Sequence, residues 1–218
     1  MPTVIVTGYE PWERASENPT LAILDRLESL NSFDADLLAI RFPVDTTKIS
    51  ALVDKALDEH PPDVWLSLGL APGAAVIAVE RLAANVLDYP IPDNASNQPQ
   101  EKPVFAGGPI AYAATIPVNA IAEAIRRRGI PVRISNSAGT YACNQLMYTA
   151  LHMIHAKRLK ARGGFIHVPC TPGYVARQND AYREYPSMSL DLMVDAVTTA
   201  IDVSLRHDAQ IGTPSQGG

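Results

Sequence analysis

Thr3-Val4-Ile5-Val6-Thr7-Gly8, followed after a short loop by Asn18-Pro19-Thr20-Leu21, is the stretch that decides the fold. Its first part is an apolar, β-branched run ending on glycine, the pattern of a strand buried on both faces. Asn18 supplies an N-cap, and Pro19 suits the first helical position. Leu21, Leu24, Leu27 and Leu30 then recur at helical spacing. A buried strand feeding a helix is the repeating unit of an α/β protein.

The alternation continues outward from there. Strands are predicted over residues 36–42, 64–69, 76–79, 131–135 and 164–168. Helices are predicted from Asp45 or Thr46 to about Pro61, and over residues 117–128, 141–158 and 187–206. Between residues 83 and 116 the pattern dissolves among Pro90, Pro92, Pro99, Pro103 and Pro109. A long irregular segment inside a domain is expected to be functional or mobile. The expected architecture is a single-domain α/β/α sandwich with a mostly parallel central sheet over residues 1–207. Residues 208–218 are expected to form a frayed tail. In such folds ligands bind outside the carboxyl ends of the strands. The loops after Gly8, Gly69, Ser135 and Val168 are therefore where chemistry is expected.

Composition narrows the function. Of 218 residues, 47 % are hydrophobic and 19 % charged, which excludes a disordered chain. No apolar run approaches the roughly 20 residues that span a bilayer. The opening MPTVIVTGYEPW has no charged region followed by an apolar core and a small-residue cleavage site, so no secretory leader is expected. A net charge of −5 without a basic patch argues against nucleic acid as a partner. Two cysteines, Cys143 and Cys170, are too few for a disulfide framework or a thiolate metal site, and they suit a reducing compartment.

Three side chains carry candidate chemistry. Cys143 follows a predicted strand and falls in the first turn of a helix, where unpaired N–H groups and the helix dipole favour a thiolate. The same N–H groups suit an oxyanion. The alternative for Cys143 is a small buried hydrophobe. His167 ends the strand GFIHV and suits a general base or acid; the alternative is a satisfied core histidine. Glu80 closes VIAV and could orient an imidazole; the alternative is an ion pair with Arg81. Nucleophile, base and orienter, each at a strand end, point to covalent acyl transfer. A serine mechanism lacks its G-x-S-x-G elbow, and Gly107–Gly108 and Gly163–Gly164 match no phosphate loop. His152 and His155 have metal-ligand spacing but no accompanying ligand, so a solvated helix face is expected there.

At these residues the sequence resembles the pyroglutamyl peptidase I (pyrrolidone-carboxylate peptidase) family of cysteine peptidases, over nearly its whole length. VTGYEPW is similar to the family's VTGFEPF, and IPDNASNQP to its IPDN-x-x-NQP loop. GLAPGAAVIAVERLAANV, SNSAGTYACN and GGFIHVP resemble its glutamate, cysteine and histidine motifs. These place Glu80, Cys143 and His167 in the catalytic positions, at spacings of 63 and 24. The resemblance implies an α/β/α fold, no metal or organic cofactor, a cytoplasmic location and a homo-oligomer, dimer or tetramer. There are departures. Tyr9 and Trp12 stand for the family's phenylalanines, and Glu13–Arg14 for glycines. Leu70 stands for a Gln, Ala78 for a Ser or Thr, Pro90 for an Arg, Ala142 for a larger aliphatic and Cys170 for an aromatic.

The implied reaction removes an N-terminal pyroglutamyl residue from a peptide that it blocks. Tyr9, Trp12 and Tyr141 are the expected apolar walls for the lactam. Backbone groups near Leu70 are expected to make polar contacts, and Ala142 is expected to line the site. Two other readings stay open, a related cysteine amidohydrolase with altered acyl preference and a catalytically silent α/β binding protein. Cys170, three residues after His167, also leaves open a disulfide with Cys143.

Overall fold

The protein is described by a computed structural model that covers residues 1–12, 17–30, 34–177 and 184–207. In chain order the elements are β1 (Thr3–Tyr9), α1 (Pro19–Ser29), β2 (Asp36–Phe42), α2 (Ile49–Glu59), β3 (Val64–Leu70), β4 (Ile77–Glu80), β5 (Leu82–Ala84), β6 (Ala111–Ala113), α3 (Val118–Arg127), β7 (Val132–Ser135), α4 (Ala142–Ala156), β8 (Arg162–Val168), α5 (Pro172–Arg177) and α6 (Leu190–Arg206). Six strands form one sheet in the order β2-β1-β3-β8-β4-β7. Helices α4 and α6 both pack on β3 and β8, with α2 beside α4 and with α1 and α3 beside α6. This is the expected sandwich.

The opening stretch behaves as its sequence dictates. Val4, Ile5 and Val6 are wholly buried, with β1 between β2 and β3 in the sheet and α1 packed on it. Asn18 Oδ1 accepts from the Thr20 N–H at 3.1 Å and caps α1. Trp65, Phe42 and Phe165 fill the core, and the Trp65 indole N–H is satisfied by Ser67 Oγ at 2.9 Å.

Several expectations change. β4 runs antiparallel to β8, so the sheet has one reversed junction, after which β7 follows β4 in parallel. α2 starts at Ile49, later than expected, because Asp45 caps a preceding turn instead. Its Oδ1 accepts from the Thr47 N–H at 3.0 Å and from the Thr47 hydroxyl at 2.6 Å. The short helix α5 lies in the loop after β8, where none was expected. Residues 83–116 are tied down rather than loose. β5 and β6 pair as an antiparallel ribbon. The Asp93 carboxylate accepts from the N–H groups of Thr46 (2.7 Å), Ala95 (2.9 Å) and Asn97 (2.8 Å). The expected tail at residues 208–218 and the Glu13–Arg14 departure lie outside the described residues. No described helix is long and apolar enough to cross a membrane.

Candidate active site

His167 stands one residue before the end of β8, in register with Gly69 of β3 on one side and Ala78 of β4 on the other. Glu80 lies opposite Phe165. Residues two apart on a strand share a face, so Glu80 reaches His167 diagonally across the antiparallel pair. Its Oε1 is 2.8 Å from Nδ1. A carboxylate only accepts, so Nδ1 carries the proton in this contact. The reversal of β4 has a consequence for burial. Glu80 ends its own strand, yet it lies below the carboxyl edge of β8 rather than on it, and only 1 % of it is exposed. The alternative for Glu80, an ion pair with Arg81, does not form. The Arg81 guanidinium donates instead to Asn136 Oδ1 and Asn119 Oδ1, at 3.2 and 3.4 Å.

Cys143 is the second residue of α4, and the N-cap residue Tyr141 makes no side-chain cap hydrogen bond. The first-turn N–H groups, which have no intrahelical acceptor, are left for a ligand. Cys143 is half-buried and lies near enough to His167 to act on its titration. Burial of the imidazole works against its protonation. The charge of and hydrogen bond to Cys143, with those of Glu80, outweigh burial and raise His167 from 6.5 to about 9. The Phe165 ring packs 4.8 Å from the imidazole.

Gly69 is a functional position that the sequence reading passed over. A Cβ there would lie 2.7 Å from Phe165 Cζ and 2.8 Å from Cys143 Sγ. Glycine is therefore what leaves room for the sulfur. The available signal was the glycine near the end of a strand that leads into a site loop.

A pocket of about 210 Å3 opens in front of the sulfur. All five expected substrate residues line it: Tyr9, Trp12, Leu70, Tyr141 and Ala142. Val44, Pro72 and Tyr174 join them, and the sequence had not suggested these three. The aromatic walls are bonded to protein through their polar ends. Tyr9 donates to the Ala142 carbonyl at 2.6 Å. The Trp12 indole donates to the Tyr141 hydroxyl at 3.0 Å, which donates onward to the Pro92 carbonyl at 3.0 Å. Pro90, which replaces the family's Arg, is exposed on the loop.

The other titratable groups do other work. His152 is not on a solvated face. It stacks on Phe105 at 4.2 Å, and its Nδ1 meets the Tyr112 hydroxyl at 3.0 Å. Burial and His155 lower its pKa. No cluster of potential metal ligands occurs among the described residues. Cys170 is a free, fully buried thiol raised by that burial, and Cys143 is likewise free.

Comparison with known proteins points to one family. The family model described as pyroglutamyl peptidase matches residues 2–207. The pyrrolidone-carboxylate peptidase of Brevibacillus brevis is 38 % identical, over 97 % of this chain and 96 % of that protein. That of Pyrococcus furiosus is 39 % identical, over 94 % and 98 %. The solved structure of pyrrolidone carboxyl peptidase from Thermococcus litoralis superposes with a TM-score of 0.90 at 37 % identity, covering 98 % of this chain and all of that one. With matches spanning nearly the whole length in both sequence and structure, the chain belongs to the pyroglutamyl peptidase family of cysteine peptidases.

Proposed function

We propose that the protein removes N-terminal pyroglutamyl residues from peptides through Cys143, His167 and Glu80. The Cys143 thiol passes its proton to His167, and its sulfur attacks the pyroglutamyl carbonyl. A C–S bond forms, and the π electrons of the C=O bond move to oxygen. The Cys143 N–H and its first-turn neighbours hold that oxyanion. His167 gives its proton to the leaving amine as the C–N bond breaks, leaving a thioester. His167 then takes a proton from water, whose oxygen displaces the sulfur and releases pyroglutamate. Glu80 holds the imidazole by Nδ1–H and stabilises its cation.

One observation carries this reading. A cysteine in the first turn of α4 acts on an imidazole that a buried carboxylate orients, and the cysteine and the imidazole both face an aromatic pocket. The pocket suits a small neutral lactam, since its aromatic polar groups already bond to protein and leave ring surface for the ligand. The resemblance supports action as a homo-oligomer in the cytoplasm with no cofactor. Light scattering after size-exclusion chromatography tests the assembly.

A fluorogenic pyroglutamyl amide tests the activity. Cys143→Ala and Cys143→Ser should lower its hydrolysis by at least about a thousandfold in folded protein. Near-normal turnover by Cys143→Ala would sink the cysteine mechanism. A second reading keeps the chemistry and changes the acyl group, because the apolar Leu70 side chain lines the pocket where the family carries an amide. A panel of acyl amides separates the two by which acyl group gives the highest kcat/KM.

A further inference from the structure

Tyr9 does more than wall the pocket. It ends β1 in the interior of the sheet, between β2 and β3. Its ring is only 3 % exposed and meets Phe42 edge-on at 6.4 Å. Its backbone is pinned to the first turn of α1. The Tyr9 N–H donates to Thr20 Oγ1 at 3.1 Å, and that hydroxyl donates to the Tyr9 carbonyl at 3.3 Å. From this fixed base the phenol donates to the Ala142 carbonyl at 2.6 Å.

The Ala142 carbonyl and the Cys143 N–H belong to one planar amide and point in opposite directions. Fixing the carbonyl therefore fixes the direction of the N–H. That N–H lies in the first turn of α4 and has no intrahelical acceptor. A hydrogen bond to the carbonyl also polarises the amide and strengthens the N–H as a donor.

We propose that Tyr9 is a positioning residue that orients and polarises the Ala142–Cys143 peptide, so that its N–H is aimed at the oxyanion formed on the substrate. This rests on the cysteine mechanism above. Burial, followed by the nearby Cys143 and the tyrosines Tyr89 and Tyr141, pushes the phenol well above its ordinary value, so the hydroxyl remains a donor across the working pH range. The Trp12 indole bonds to the Tyr141 ring and the Tyr141 hydroxyl to the loop after β5, whereas the Tyr9 phenol bonds to the backbone beside the sulfur.

The test uses Tyr9→Phe, which keeps the ring and removes only the oxygen. The probe is the aldehyde analogue of pyroglutamate. The Cys143 thiolate adds to its carbonyl carbon, the C=O π electrons move to oxygen, and the resulting oxyanion takes a proton from His167 to give a hemithioacetal. Tyr9→Phe should bind this aldehyde about three- to tenfold more weakly and lose kcat by a similar factor, with KM nearly unchanged. Alkylation of Cys143 by iodoacetamide forms no oxyanion and should keep its wild-type rate. A purely structural role would not produce that split. Three results would each overturn the proposal: unchanged aldehyde affinity, a rise in KM alone, or alkylation slowed as much as turnover. Aldehyde affinity needs no turnover. A wild type that fails to hydrolyse pyroglutamyl amides therefore counts against the functional reading, and the aldehyde comparison still decides the role of Tyr9.

Discussion

His167 is held between two acids, the Glu80 carboxylate on Nδ1 and the Cys143 thiol. Their combined pull exceeds the effect of burial, and the imidazole titrates near 9. For pyroglutamyl amides, kcat/KM should hold through neutral pH and fall as pH rises past about 9, where the imidazolium loses its proton. A pH–rate profile checks this; an alkaline limb near 6.5 would contradict it. The sign for stability follows from the same shift. A value raised from 6.5 to about 9 means that the protonated imidazole stabilises the fold fully below 6.5 and loses that contribution as pH climbs through about 9. In Cys143→Ala the upward pull of Cys143 is gone and burial is opposed only by Glu80. His167 should then titrate lower, which NMR of its ring protons reads directly. A second residue-scale prediction concerns Leu70. A pocket amide could bond the lactam, and one such bond to a neutral group contributes about 0.5–1.5 kcal/mol. Leu70→Gln should therefore raise kcat/KM for pyroglutamyl amides by up to about tenfold. No gain would mean that the pocket is built around leucine.

At the scale of elements, what was legible depended on how local the signal was. β1, α1 and β3 were readable because burial on both faces, an N-cap and helical spacing are written within a few residues. The ends of β8 and α4 were readable for the same reason, and with them His167 and Cys143. The direction of β4 was not, since an apolar run has the same pattern in either orientation. Only pairing with β8 and β7 decides it, and that pairing is what buries Glu80 beneath His167. β5 and β6 were hidden because each is three residues long, and their partners are 27 residues apart at the closest, Ala84 with Ala111. Their anchor is Asn144, next to the candidate nucleophile and wholly buried. Its Oδ1 accepts from the Ala84 N–H at 2.8 Å, and its Nδ2 donates to the carbonyls of Ala84 and Val86, both at 2.9 Å. One side chain thus satisfies three backbone groups and clamps β5 to α4. Asn144→Ala leaves those groups short of partners and should cost about 2–4 kcal/mol in stability, measured by denaturant unfolding. Asn144→Asp replaces the donating end with an acceptor facing two carbonyls, so it should be no better tolerated. A stable Asn144→Asp protein would show that the two donated bonds matter little.

At the scale of the whole molecule, the site is assembled from strands at the centre of the sheet, one helix layer and the long segment between β5 and β6. That segment is joined to the core through Asp93 and a chain of buried polar contacts. The Asp93 carboxylate accepts the Thr46 N–H at 2.7 Å, and the Thr46 hydroxyl donates to Gln145 Oε1 at 2.7 Å. Tyr89, on the segment itself, donates to the same oxygen at 2.6 Å, while Gln145 Nε2 returns to the Thr46 carbonyl at 2.8 Å. The segment is thereby bonded to α4 and to the turn before α2 rather than lying over them. It should not unfold as a separate unit, because opening it would strip the Thr46 N–H of Asp93 and break the Tyr89 bond to the buried Gln145. The two tryptophans make this measurable. Trp12 sits at the pocket and Trp65 in the core, so Trp12→Phe leaves a single reporter of core packing. In that background, activity and Trp65 fluorescence should be lost along one denaturant curve. Asp93→Ala removes the acceptor of three backbone N–H groups and should lower the stability of the whole protein by about 2–3 kcal/mol. The two curves should move together and stay superimposed. If activity disappears at lower denaturant while the Trp65 transition keeps its original midpoint, the segment is an independent lid on a finished core, and the buried polar chain through Gln145 does not couple it to the fold.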